Sequence, residues 1–157
     1  MSGARRHPEE IRSIVLATGA ADLLLPNVAV AEIIGYTDPA PYASAPPWLL
    51  GSVSWRGFPV PLVSLAMANE QPIEVVQSRR PRIVICYTPS GNKALPYVGI
   101  VAAESPRLAR LSPEVLEPTQ VPAENPFVLH SLNYGEAPVW IPDMDAIERA
   151  VIEAKQT

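Results

Sequence analysis

Residues 48–65, WLLGSVSWRGFPVPLVSL, decide how the chain folds, because they read as two strands turned about Arg56-Gly57. A two-residue hairpin loop requires positive φ, which glycine adopts at little cost. With Arg56 and Gly57 as the loop, Trp55 faces Phe58 in a hydrogen-bonded pair. The ladder then alternates: Val53 with Val60 bonded, Ser54 with Pro59 and Ser52 with Pro61 non-bonded. Both prolines stand where no donor is needed toward the partner strand, and their missing N–H groups face the other way. That outer edge is therefore expected to be open or only loosely covered. The register also sorts side chains, with Trp55, Phe58, Val53, Val60 and Leu62 on one face and Ser52, Ser54, Pro59 and Pro61 on the other.

Working outward, the flanks carry three more hairpin patterns. Toward the N-terminus a strand over residues 11–18 turns at Gly19-Ala20-Ala21-Asp22 into a second strand over 23–25. Pro26 and Asn27 then break the pattern, and Asn27 is placed to cap a short helix from Val28 to Ile34 that Gly35 stops. The stretch 36–47 holds four prolines in twelve positions, which predicts an extended connector into the central hairpin. Beyond Leu65 a polar crossing over 69–81 leads to strands at 82–88 and 94–103 around Pro89-Ser90-Gly91-Asn92-Lys93. Residues 106–126, with five prolines and no clear period, read as connector with one helical turn near Ser112-Pro113-Glu114. A last hairpin joins 127–133 to 138–141 through Tyr134-Gly135-Glu136-Ala137. An amphipathic helix follows from Asp143, with Met144, Ile147, Val151 and Ala154 on one face.

Turns recur near residues 20, 57, 91 and 135, which raises the question of internal repetition. Four blades of two strands are too thin for a propeller. Two small barrels side by side, made from successive hairpins, use these strands more naturally, and they are expected to share an apolar seam to which Trp55, Val60 or Leu62 contributes.

The bulk numbers agree with one domain, or two small subdomains over one core, in 157 residues. Hydrophobic residues at 48% against 18% charged describe a globular chain, and nineteen prolines against eight glycines favour short strands over long helices. A net charge of −4 argues against nucleic acid or an anionic membrane as partner, and Arg79, Arg80 and Arg82 read as a solvated loop. No apolar run reaches the ~18 residues of a membrane span, and Pro8-Glu9-Glu10 stands where a signal peptide would have its apolar core. Cys86, the single cysteine, lies within Ile83-Val84-Ile85-Cys86-Tyr87 and reads as a small buried thiol. The expected setting is cytoplasmic, with residues 1–10 a disordered tail and 11–157 the folded domain.

Catalytic constellations are scarce. His7 lies in the tail, and His130 alternates with apolar neighbours, as a packed or rim histidine does. No Cys/His cluster has metal-ligand spacing, there is no phosphate loop or nucleophile elbow, and nothing in the spacing of Glu32 and Glu136 makes them a carboxylate pair. Asp143 and Asp145 sit at a helix start, where carboxylates cap and complement the dipole. No enzyme, metal or cofactor is expected. Arg56 stands out instead. As a turn residue it is ordinarily solvated, but beside Trp55 and a proline-edged strand it has the make-up of a contact anchor. Glu32, on its expected helix between Val30 and Ile33, is either solvated or paired with Arg56 across the surface.

These residues carry a resemblance. Val30-Ala31-Glu32-Ile33-Ile34-Gly35-Tyr36, the proline-rich connector and residues 47–65 resemble the CheW-like adaptors of bacterial chemosensory systems, whose signature is V-x-E-I followed by P-x-[YFW]-[IL]-x-G-x-x-x-x-R-G-x-x-[VIL]-P-[VIL]-x-[DS]-L. Tyr97-Val98-Gly99-Ile100-Val101 and Val139-Trp140-Ile141-Pro142 before a helix are similar to the family's second half. The resemblance implies an all-β pair of intertwined five-stranded SH3-like barrels with a C-terminal helix and no catalysis. It implies a scaffold joining the cytoplasmic tip of methyl-accepting chemoreceptors to the regulatory domain of a chemosensory histidine kinase. Partner-binding positions carried over are Val30, Glu32, Gly51 and Arg56, with Trp55 beside them.

The sequence also departs from the pattern. Ser64 stands where an acid is usual, Ala102 and Ala103 replace an acidic strand end, and Trp55 stands where leucine is common. These departures resemble divergent relatives such as the accessory adaptors of pilus or surface-motility pathways. An alternative reading is an SH3-like module that binds proline-rich or other extended segments outside any kinase array.

Overall fold

The computed structural model describes residues 11–18, 21–68, 81–111, 116–118, 125–135 and 137–155. Expectations for the N-terminal tail with His7, the crossing that holds Arg79 and Arg80, the helical turn near Ser112, and Glu136 lie outside the described residues.

The strands of the described residues form two sheets. The chain's two ends build the first, in the order β8-β1-β2-β11-β10-β9: β1 (Ile11–Ala17), β2 (Asp22–Pro26), β8 (Arg107–Leu111), β9 (Leu116–Pro118), β10 (Val128–Tyr134) and β11 (Ala137–Pro142). Its middle builds the second, in the order β3-β6-β7-β5-β4: β3 (Val30–Gly35), β4 (Leu49–Trp55), β5 (Phe58–Val63), β6 (Arg82–Tyr87) and β7 (Tyr97–Ala102). In each sheet one parallel pair, β2 with β11 and β5 with β7, joins antiparallel hairpins. Sheet two is thus built from a segment that lies, along the chain, between strands of sheet one. The two are open sheets of six and five strands rather than two closed five-stranded barrels.

The central hairpin has the expected register, Trp55 opposite Phe58, Val53 opposite Val60, Ser54 opposite Pro59 and Ser52 opposite Pro61. Arg56 at φ 49° and Gly57 at φ 81° both lie in the left-handed region, the signature of the turn whose twist matches paired strands. On the proline side β5 is only loosely covered, since its ladder to β7 begins at Leu62 opposite Gly99.

Which face meets which core differs from the sequence expectation. Val53, Val60 and Leu62 pack with Ile83, Ile85 and Val101 inside the second sheet, with Trp55 at the margin of that cluster. The seam shared by the two sheets is made from the opposite side of the same strands. Val63, Val84, Cys86, Val98 and Ile100 meet Ile14, Leu16, Leu23 and Leu25 there. The seam is closed by α2 (Met144–Lys155), which buries Ile147 and Val151 in it and carries Met144 and Ala154 against it. The Asp143 carboxylate caps α2 by accepting the Ala146 N–H at 3.0 Å. Both faces of the β6 core are thus buried, which a single hairpin's alternation could not reveal.

Three further corrections concern single elements. Residues 28–34 are not a helix: Asn27–Ala29 form a single 3-10 turn without a side-chain cap, and Val30–Gly35 pair with Arg82–Cys86 as β3. Val30, Ile33 and Ile34 are β-branched and suit the strand once β6 offers a partner. The supposed connector after Pro106 contains β8 and β9, which are the edges of the first sheet. The β6–β7 hairpin closes at Tyr87 opposite Tyr97, so its loop is longer than the expected five residues. A short α1 (Leu65–Ala68), not anticipated, is capped by the Ser64 hydroxyl, which accepts the Met67 N–H at 3.2 Å.

Candidate functional site

The hairpin tip and β3 meet at one carboxylate. Glu32 Oε1 accepts the Trp55 indole N–H at 3.1 Å and the Arg56 guanidinium at 3.2 Å. Arg56 also lies over its neighbour's ring, its guanidinium carbon 5.1 Å from the Trp55 centroid. Strand geometry brings this about. A bulge between Val30 and Glu32 sets Glu32 opposite Ile85, on the side of the sheet that carries Trp55. Trp55, where leucine is common in the resembling family, supplies the N–H that leucine lacks.

The Arg56 side chain keeps 72% of its surface exposed and Glu32 40%, so their ion pair contributes roughly 0–1 kcal/mol to stability. Its effect is geometric: two contacts hold a long side chain in one place while leaving it available.

Aromatic rings continue from the tip along the sheet. Tyr97 packs edge-on to Trp55 at 4.8 Å and to Phe58 at 5.4 Å, and Tyr87 lies 5.8 Å from Tyr97. Phe58 and Tyr87 are 43% and 50% exposed. Sequence reasoning missed Tyr87 and Tyr97, which face each other at the loop end of the β6–β7 ladder; the turn expected at 89–93 would have set Tyr87 against Leu95 instead.

The remaining positions behave differently. Val30 is half-buried and packs against the shared core, so only part of it is presented. Gly51 is buried under the connector. At φ 145° it has a conformation rare for other residues, and a Cβ there would stand 2.4 Å from the Ala40 carbonyl oxygen. This close approach lets Ala40 exchange two backbone hydrogen bonds of 2.9 Å with Ser52. The structure therefore brings Glu32, Trp55 and Arg56 together and gives Gly51 the task of seating the segment beside them.

Acid–base candidates do not converge. His130 is exposed on β10, which belongs to the first sheet, whereas Glu32, Trp55 and Arg56 lie on the second. Cys86 is fully buried, and burial pushes its thiol up to about 12. Glu148 of α2, 5% exposed, is occupied by the Ser90 N–H and hydroxyl and holds the β6–β7 loop to the helix. Among the described residues no group of three or more His, Cys, Asp or Glu could hold a metal, and no helix is long and apolar enough to cross a membrane.

Two interlocked sheets presenting a braced arginine beside exposed aromatic rings define a protein-interaction module. Residues 12–151 match the model of the CheW-like domain, and the chain belongs to that family, which consists of non-catalytic scaffold adaptors of chemotaxis signalling. Its fold is similar to that of the scaffolding protein TtCheW from Thermoanaerobacter tengcongensis, with a TM-score of 0.69 at 14% identity over 90% of each chain. Comparison with curated proteins gave no match.

Proposed function

We propose that this chain couples chemoreceptors to a chemosensory histidine kinase, with the hairpin tip as its receptor-facing contact. The observation that carries this is the geometry at Glu32. One carboxylate oxygen holds both Trp55 and Arg56, and an exposed arginine restrained in this way loses little further freedom on binding. The receptor contact then comprises Arg56, Glu32 and Trp55, with Val30 at its margin and Gly51 acting through the connector it seats. The kinase regulatory domain engages a separate surface, and the setting is cytoplasmic. The departures at Trp55, Ser64 and Ala102 favour an accessory system of the pilus or surface-motility type over the main chemotaxis adaptors. Ser64 caps α1 and Ala102 is fully buried, so both are absorbed into the fold.

Binding of the Arg56→Ala and Glu32→Arg variants to the isolated receptor tip and to the kinase regulatory domain tests this. Arg56→Ala is expected to leave stability within about 1 kcal/mol, because the lost ion pair is exposed. It should weaken receptor binding by about 2 kcal/mol or more, roughly 30-fold. Glu32→Arg should slow receptor association, increasingly so as salt is lowered. Kinase binding should survive both. A folded Arg56→Ala protein that binds receptor as tightly as before refutes the assignment.

A further inference from the structure

β4 is an edge of its sheet, and the hairpin register decides which of its backbone groups look outward. With Trp55–Phe58 and Val53–Val60 as the bonded pairs, the N–H and C=O of Ser52 and Ser54 point away from β5. Those of Ser52 are taken by Ala40. Continuing that antiparallel pairing would set Asp38 against Ser54, yet among the described residues no backbone bond joins them. Between them lies instead an open cavity of about 450 Å³, bordered by Thr37, Asp38, Ser54, Gly57, Phe58 and Pro59.

The gap is not a frayed rung. Upstream, the Tyr36 N–H is held by the Pro81 carbonyl at 3.3 Å, and downstream Ala40 is held by Ser52. Only Thr37, Asp38 and Pro39 lie between these anchors, which limits how far the connector can move toward Ser54. Pro39 also keeps Asp38 extended. Pro39 and Pro41 flank Ala40 at positions whose backbone faces away from β4, so the connector's own outer side offers no N–H there to a further strand. Ser54 is left as the open hydrogen-bonding position.

Its surroundings specify what would fit. Phe58, 43% exposed, offers apolar contact. Asp38 is exposed and has no cationic partner among the described residues. We propose that this gap receives a short extended segment of a partner protein, joined through its backbone to Ser54 and carrying a lysine or arginine for Asp38. The site adjoins the Arg56 contact at Gly57 and Phe58 but rests on Ser54 and Asp38 rather than on Glu32 and Arg56, so Ser54→Pro and Arg56→Ala test the two separately.

Titration of the ¹⁵N-labelled full chain with acetyl-Val-Arg-Val-amide and acetyl-Val-Glu-Val-amide tests this. The arginine peptide should shift the Ser54 and Asp38 amide resonances saturably, with the roughly millimolar affinity of so small a contact. The glutamate peptide should bind about three- to fivefold more weakly, as an exposed charge pair implies. Asp38→Asn should abolish that preference. Ser54→Pro should abolish binding of both peptides, while Val53 and Val60 resonances report an intact hairpin; that N–H serves no bond to β5, as at Pro59 and Pro61. N-methylation of the peptide arginine probes the same rung without altering the protein and should also prevent binding. Absence of any Ser54 shift, binding that survives both Ser54→Pro and N-methylation, or equal affinity for the two peptides would overturn the proposal.

Discussion

Replacing Gly51 with alanine isolates how the connector is seated. The new Cβ would stand 2.4 Å from the Ala40 oxygen and 2.8 Å from the Ala40 carbonyl carbon, both backbone atoms that no rotamer change can move aside. Relief requires the connector to lift, which breaks the two 2.9 Å bonds between Ala40 and Ser52. At about 0.5–1.5 kcal/mol each these contribute roughly 1–3 kcal/mol. A non-glycine residue at φ 145° adds about 1–3 kcal/mol of backbone strain. The expected loss is therefore about 2–6 kcal/mol, read as a urea midpoint, and amide exchange at Ala40 and Ser52 should accelerate with it. Gly57→Ala is the control. It also has positive φ, 81°, but nothing lies within 4 Å of its Cβ, so about 1–2 kcal/mol is expected without any change at Ala40. A Gly51→Ala protein within 0.5 kcal/mol of the parent, with Ala40 and Ser52 still protected, would refute the reasoning.

Other perturbations probe the cores and the helix. Leu62→Ala empties a fully buried site between Val60, Ile83 and Ile85 and should cost about 2–5 kcal/mol by denaturation; an unchanged midpoint would invert the face assignment. Cys86 should resist thiol reagents in native protein and react on unfolding. Its folded-state pKa is raised, so the stabilisation linked to the neutral thiol is complete below pH 9 and is lost as pH climbs toward 12. The slope is at most about 1.4 kcal/mol per pH unit, and it should vanish in Cys86→Ala when the two proteins are compared. Asp143→Ala removes the α2 cap and should lower stability by about 1 kcal/mol, seen as a thermal midpoint lower by roughly 2–4 °C.

The parts legible in the sequence are those whose cause is local. The hairpin register follows from where two prolines can lack an N–H and where glycine can take positive φ, and both conditions sit within eighteen residues. The C-terminal helix follows from a 3.6-residue apolar period behind an aspartate cap, and the buried thiol from an unbroken apolar run. The Glu32 segment was illegible because a short apolar stretch suits either a helix or a strand. The choice falls to β6, some fifty residues along the chain, whose ladder accepts Val30 to Gly35. β8 and β9 are edge strands whose residues show no clean alternation, so only their neighbours β1 and β10 identify them. Which face of the second sheet builds the shared seam was likewise undecidable from alternation, since both faces of β6 are apolar and the first sheet supplies the missing partner. Arg56 and Trp55 could be singled out by residue type, but their union at Glu32 depends on a bulge and on pairing between distant strands. Sheet contacts are non-local, so tertiary structure alone turns three separate residues into one site.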